Sequence, residues 1–384
     1  MLSKRLSVAA ATIAASLSCS AEKTSPSLAT STAEMRSMLP PMVTPQESGT
    51  AFRFFAVSPV NARVVWASAA GGTYALTTDG GKTWSSRQVP GAETLQFRDV
   101  EGVSDKVAYL MSAGEGEANR IYKTEDGGNH WTLQAQASAD PRNFWDCFAF
   151  WTPRRAILML DSIVGRFPLR HTTNGGNDRW PFVKDPPTAQ PGEGAFAASG
   201  TCAATQGESN AWLATGAAAV ARVLRSRDGG KTWRSAVTPI QPQGTPVSGN
   251  VSVDFRDARR GIVGGGDVVD SATPQLNVAR SRDGGETWKL TTPTPFPGAV
   301  YGLTYTRNHH ADNDDEGDDD NDGSDGTLRR VVATGPSGAA WTENEGNTWN
   351  LLPGIANCWA VGFGDERTGW LVCGAGRIFR LDFH

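Results

Sequence analysis

Cysteine, histidine and tyrosine are scarce in this chain of 384 residues, five of each, and each scarcity removes a class of chemistry. His309 and His310 stand beside an acidic tract and His384 is the last residue, so no His-rich ligand set is present. No CxxC pair occurs and no GxGxxG opens a βαβ unit, which argues against redox catalysis on a dithiol or a dinucleotide. Charge of one sign is lacking as well. The 36 Lys and Arg against 40 Asp and Glu leave a net charge of -4 and no cation field for a polyphosphate, so nucleic acid is not an expected partner. Outside the N-terminus no apolar run is long enough to suggest a membrane span.

What the chain has in abundance is 43 glycines and 13 tryptophans. Many tight turns, each beside a large packing group, suggest repetitive all-β structure. One pattern recurs six times: Thr77, Asp79, Gly81, Thr83 and Trp84, then Thr124 to Trp131, a copy one residue longer ending at Trp180, Ser226 to Trp233, Ser281 to Trp288, and a variant with Asn344 ending at Trp349. The tryptophans are 47, 49, 53, 55 and 61 residues apart, periods that suit propeller blades of four antiparallel strands. In this motif the aspartate is placed to accept backbone N–H groups, the glycines supply positive φ, and the hydroxyl ties the turn's start to its end. The motif is therefore assigned to folding and not to chemistry.

Before the repeats, residues 1–21 read as an export signal, with Lys4 and Arg5 ahead of an apolar run from Leu6 to Leu17 that is too short to span a bilayer. Leu17-Ser18-Cys19 approximates a lipoprotein motif, which makes Cys19 a candidate lipid acceptor, the alternative being simple cleavage near Ala21. Residues 22–50 are rich in Ser, Thr, Pro and Ala and read as a tether. The expected location is periplasmic or lipid-anchored in a bacterial envelope, with any membrane contact made through the lipid.

Residues 51–384 then supply inner strands near Arg53–Ser58, Phe97–Glu101, Asp146–Trp151, Thr201–Thr205, Val251–Phe255, Val300–Tyr305 and Cys358–Phe363. The fold expected is an all-β, seven-bladed β-propeller with Asp-box hairpins. Its last blade has only three strands before His384, so the fourth is expected from about Met42–Gln46, closing the ring and removing a free sheet edge. The aspartate turns, the blade length and the phrases Gly369-Trp370 and Gly376-Arg377 resemble the photosystem II stability/assembly factor-like propellers, within the BNR/Asp-box superfamily that also holds sialidases. Trp145 to Trp151 and Gly194 to Gly200 are similar to the exported bacterial branch, often described as oxidoreductases. The resemblance implies the fold; function it implies poorly, because propellers carry unrelated sites.

The face opposite the aspartate turns is where a site is expected. Its loops Asp161–Leu169, Asp185–Gly200 and Gly264–Asn277 are longer than plain hairpins need and bring Asp161, Arg166, Glu193, Asp267 and Asp270 toward one rim, joined by Arg53, Arg98 and Asp146 at the starts of inner strands. Guanidinium groups there suit a carboxylated or hydroxylated ligand; the plainer alternative is that these charges pair with one another in a wet channel. The function expected is a binding or assembly scaffold for an envelope protein or glycan, acting as a monomer and without a cofactor. The rival is a sialidase-like glycoside hydrolase acting on an acidic sugar. By the resemblance it needs three arginines, a Tyr–Glu nucleophile pair and an Asp acid. Arg53, Arg98 and Arg166 are candidates, but Phe52-Arg53 runs on into Phe54-Phe55 instead of the sialidase signature, and Tyr301 has no assignable Glu.

An insertion over residues 308–326 is strongly acidic, and without it the propeller body is mildly basic. Asp318, Asp320 and Asp322 have the spacing of a calcium loop, yet Arg329 occupies the twelfth position where a bidentate Glu is needed, so a solvated loop is the alternative. Export places Cys147, Cys202, Cys358 and Cys373 in an oxidising compartment. Pairing Cys358 and Cys373 symmetrically across the turn Gly364–Gly369 sets Trp359 against Val372, Val361 against Trp370, and the two cysteines directly opposite. Cys147 and Cys202, on inner strands of adjacent blades, form the second expected bridge; four buried free thiols are the alternative. Non-reducing peptide mapping of periplasmically expressed protein is expected to recover Cys358 and Cys373 as one linked peptide, and both as free thiols if the pairing is wrong.

Overall fold

The computed structural model describes residues 39–306 and 329–384. The export segment with Cys19, the tether to residue 38, and the acidic insertion with Asp318, Asp320 and Asp322 lie outside the described residues. The described residues fold as seven antiparallel sheets set in chain order, a seven-bladed β-propeller whose one helical element is a three-residue 3-10 turn at Gly116–Ala118. The inner strands are Phe54–Pro59, Phe97–Gly102, Trp145–Thr152, Ala203–Gln206, Ser248–Phe255, Gly302–Tyr305 and Cys358–Phe363, each at or within a few residues of its expected place.

A single sheet leaves both faces wet, so each blade must bury its faces against the next. The buried clusters accordingly straddle blade pairs: Trp66 and Tyr74 of blade 1 pack with Phe97, Leu110 and Tyr122 of blade 2. Blades 4 and 5 meet through Trp212 stacked on Phe255 at 3.7 Å between ring centroids. Indole N–H groups stitch the same interfaces, with Trp66 donating to the Ser104 carbonyl, Trp151 to Asn210 and Trp212 to Gly284 at 2.7 to 2.9 Å. The aspartate turns behave as the pattern predicts. Gly81 N–H donates to Thr77 Oγ1, and the backbone and hydroxyl of Thr83 donate to Asp79, holding its carboxyl down at about 2.

Blade 3 departs from the repeat. It has three strands, ending with Arg170–Thr172, and its fourth is reduced to a single bridge between Arg170 and Phe182. The extra residue in its turn puts Arg179 and Trp180 at positive φ, and Pro181 has no N–H to give to a ladder. Another difference is at the inner strands. Five of the seven carry a one-residue register shift near the start, which leaves Phe55, Arg98, Asp146, Val251 and Trp359 unpaired at matching positions. A bulge breaks the two-residue alternation and re-aims one side chain.

The bulge also corrects the cysteine geometry. The last hairpin pairs Phe363 with Gly369, Val361 with Leu371 and Ala360 with Val372, one place off the symmetrical register, and the bulge at Trp359 brings Cys358 back opposite Cys373. Both bridges form, Cys358–Cys373 with Cα atoms 3.8 Å apart and Cys147–Cys202 with 6.1 Å.

The ring closes as expected and one residue longer, Met42–Glu47 lying antiparallel to Arg377–Asp382. Its pivot is Gln46, whose Oε1 accepts from Trp84 Nε1 of blade 1 at 2.9 Å and Trp370 Nε1 of blade 7 at 3.2 Å, while its Nε2 donates to the Gly80 carbonyl. Gln46→Leu leaves two indole donors without an acceptor, and is expected to cost about 2 kcal/mol, read as a melting temperature lower by roughly 3–6 °C; an unchanged midpoint would show that Gln46 does not hold the closure.

Candidate functional site

On the face away from the aspartate turns, the segment from blade 3 to blade 4 crosses the ring axis instead of skirting it. Ala195 N–H donates to Asp161 Oδ1, the Ala197 carbonyl accepts from Arg98 of blade 2 at 3.0 Å, and Ser199 Oγ donates to the Tyr301 carbonyl of blade 6 at 2.6 Å. Gly200 then passes so close to Asp99 and Ala56 that a Cβ would lie 2.3 Å from Asp99 Oδ1, so only glycine fits at its φ of 73°. Ala203 begins blade 4 just after Cys202, which the bridge to Cys147 ties to blade 3. The channel is thereby stoppered, and above the stopper lies a cleft of about 1030 Å³ lined by Arg98, Asp161, Phe196, Val268, Tyr301 and Trp359 among others.

Two bulged residues, Arg98 and Trp359, line this cleft, and they are joined by a third, Phe55, and by Arg53, which are outside the lining itself. The Arg98 guanidinium lies over the Phe55 ring at 4.0 Å, Phe55 meets Trp359 edge-on at 5.5 Å, Tyr301 packs on Trp359 at 4.9 Å, and Arg53 lies over the far side at 4.9 Å from the Trp359 centroid. Arg98 is fixed by Gln96 Oε1 and the Ala197 carbonyl. Burial, with the charge of Arg53 adding to it, lowers the Arg98 guanidinium to about 10, still a cation at neutral pH. Neither arginine is in an ion pair among the described residues, so two positive charges stand side by side, stacked on aromatic faces that cannot neutralise them. Such a pair can accept a carboxylate.

The other residues read as a rim are placed differently. Asp146 is 0% exposed and below the surface, with neither carboxyl oxygen partnered. Glu193 is closed to a ligand, its side chain fully buried and bound bidentately by Arg222, with Thr215 Oγ1 and Gln190 N–H adding donors. Here the charge-pairing alternative holds. Asp161 lines the cleft but serves the stopper through Ala195. Arg166 donates to the Pro186 carbonyl of the following loop and is not part of the lining. Asp267 accepts from Val269 and Asp270 N–H, and its strand runs to that residue, so the loop is shorter than expected and begins after it. Phe55, Trp359 and Phe196 were not foreseen; the signal available was the doubled apolar start of Phe54-Phe55 and Cys358-Trp359, where alternation fails.

A sialidase-like arrangement does not assemble. Arg166 is held by the Pro186 carbonyl and does not line the cleft, and Tyr301 Oη donates to the Val268 carbonyl, which is no general base. A tyrosine–glutamate pair does form, Tyr305 to Glu345 at 3.4 Å beside Arg256, but both are buried, at 1% and 3% exposure, out of a substrate's reach. Among the described residues no group of three His, Cys, Asp or Glu is placed to hold a metal ion.

No family model and no curated protein matches the chain. Among solved structures, it is similar to YCF48 bound to D1 peptide, with a TM-score of 0.60 and 14% identity over 90% of this chain and 98% of that one. YCF48 from Cyanidioschyzon merolae gives a TM-score of 0.60 and 14% identity over 88% and 98%. The GH74 enzyme of Niastella koreensis gives 0.57 and 15% over 88% of this chain but 53% of its own. At these identities the likeness is one of fold, and it agrees with the β-propeller read from the repeats.

Burial raises three acids of the inner strands: Asp99 and Asp146 well above the usual carboxylate range, with Asp161 adding to the effect on Asp146, and Glu101 to about 8. A raised folded-state value means that stability is fully present below the unfolded value and is lost as pH rises through the folded one. Asp146→Asn removes one such group. The variant is expected to match the native protein near pH 4 and to melt higher above neutrality, the gap widening with pH; thermal scans from pH 4 to 9 showing a constant gap would refute this.

Proposed function

We propose that the chain is an exported binding or assembly scaffold of the cell envelope, held by its tether or by a lipid on Cys19, which engages a protein partner at the cleft opposite the aspartate turns. The observation that carries this reading is the pair Arg53 and Arg98, unpaired by carboxylates and framed by Phe55, Tyr301 and Trp359. Such a site favours an acidic group flanked by apolar surface, and the Arg98 guanidinium, already partly desolvated and oriented, loses little on binding a carboxylate. The likeness in fold to YCF48 bound to D1 peptide supports a protein segment over a glycan as the partner. The segment Ala195 to Thr201, bonded to blades 2, 3 and 6, supports binding on one face.

The test is retention of envelope proteins on immobilised protein against the double variant Arg53→Gln with Arg98→Gln. A defined protein retained by the native chain and reduced at least about tenfold by the variant is expected, the loss of two charge-assisted contacts. Equal retention rejects the cleft as the interface. Release of sugar from envelope glycans by the pure protein, abolished by the same substitutions, would overturn the scaffold reading in favour of a hydrolase.

A further inference from the structure

The connection after Leu160 in blade 3 reverses at Val164-Gly165, where Ile163 and Arg166 exchange both backbone hydrogen bonds, at 2.8 and 3.2 Å. Both central residues have positive φ, 51° at Val164 and 73° at Gly165. That is the pattern of a type I′ turn, which selects Asn-Gly or Asp-Gly. A β-branched residue in the first position forces its methyl groups against the backbone, and valine at positive φ is an outlier. Val164 is 88% exposed, so among the described residues the strained turn buries little of the apolar surface that could compensate it. A residue that breaks a local rule without return in the free protein points to a contact made in a bound one.

Its position says which contact. Val164 and Gly165 line the same cleft as Arg98 and Phe196, and Val268 lines it from blade 5, next to Val269 at 73% exposure. The cleft thus offers apolar lips and an unpaired cation. We infer that Val164 is a specificity-determining contact for an extended segment of a protein partner, packing against an aliphatic side chain while an acidic group of the same segment meets Arg98. Charge complementarity and apolar area together select this occupant: a glycan has no use for an exposed valine, and a purely acidic ligand has none for apolar lips. The inference rests on the scaffold reading and names the chemistry of its partner.

The test uses 12-residue peptides selected from a random displayed library on the full chain, with the enriched peptide as probe. The native chain, Val164→Asn, Val164→Thr and Arg98→Gln are compared by titration and by melting. Enriched peptides are expected to carry an aliphatic residue near an acidic one. Val164→Asn is expected to raise the melting temperature by roughly 2–5 °C as the turn relaxes, yet to bind the peptide about tenfold more weakly. Val164→Thr keeps the branched shape and the native melting temperature, and also loses affinity. If Val164→Asn binds as tightly as the native chain while Arg98→Gln does not, the role of Val164 is refuted and the scaffold reading stands. If Val164→Asn melts no higher, the strain argument fails. If no peptide is enriched on the native chain over Arg98→Gln, the scaffold reading fails and the inference with it.

Discussion

The pairing of Met42–Glu47 with Arg377–Asp382 is the constraint on which the rest of the molecule depends. A propeller blade is a small sheet with two faces to bury, and in a ring every blade finds a neighbour on each side only if the first and last meet. Hydrogen bonds between the two ends of the described chain make that meeting specific. Gln46 adds a check on register, because its single carbonyl oxygen serves indoles of both blade 1 and blade 7 and reaches both only when the strand is docked in place. Once the ring is shut, residues far apart in the chain become neighbours at its axis, Phe55 and Trp359 among them.

The cleft is a consequence of two departures from regular blade structure. Bulges at the start of inner strands turn Arg98, Phe55 and Trp359 out of the alternation that would otherwise pack them into blade interfaces. The crossing segment then closes the channel beneath them, held by bonds to blades 2, 3 and 6 and by the bridge at Cys202. A ring with an open pore would let water screen the arginines from both sides. With the channel stoppered, Arg98 lines a one-sided cleft, half-buried, where a charge is worth more to a ligand that covers it.

The charges nearby divide by environment. Glu193 is neutralised by Arg222 and holds a loop; Asp161 holds the stopper; Asp146, at the bulge, is buried with neither carboxyl oxygen partnered. Arg53 and Arg98 alone of the proposed rim are brought together unpaired. That asymmetry is why the geometry favours capture of an acidic group over hydrolysis, which needs carboxyl groups free to exchange protons with a substrate.

Blade number, strand order, the aspartate turns, the closing strand and both cysteine pairs were legible in the residues, because each follows from a period of about 50 residues or from alternation within one hairpin. Even there the symmetrical register is off by one place over Ala360–Phe363, and Cys358 faces Cys373 because of the bulge at Trp359. The missing strand of blade 3 was not seen, since Phe182-Val183 looks like a strand until Pro181 and the positive φ of Trp180 are placed beside it. Which charges meet was beyond the pattern altogether. Arg53, Arg98, Asp146 and Glu193 look alike as members of a rim, and only the closed ring, the bulges and the crossing of Ala195 to Thr201 determine that the two arginines stay out of ion pairs while the two acids are buried. Periodicity records how a chain repeats along its length; contacts such as that of Arg98 with Ala197, 99 residues away, exist only when the blades are assembled around one axis.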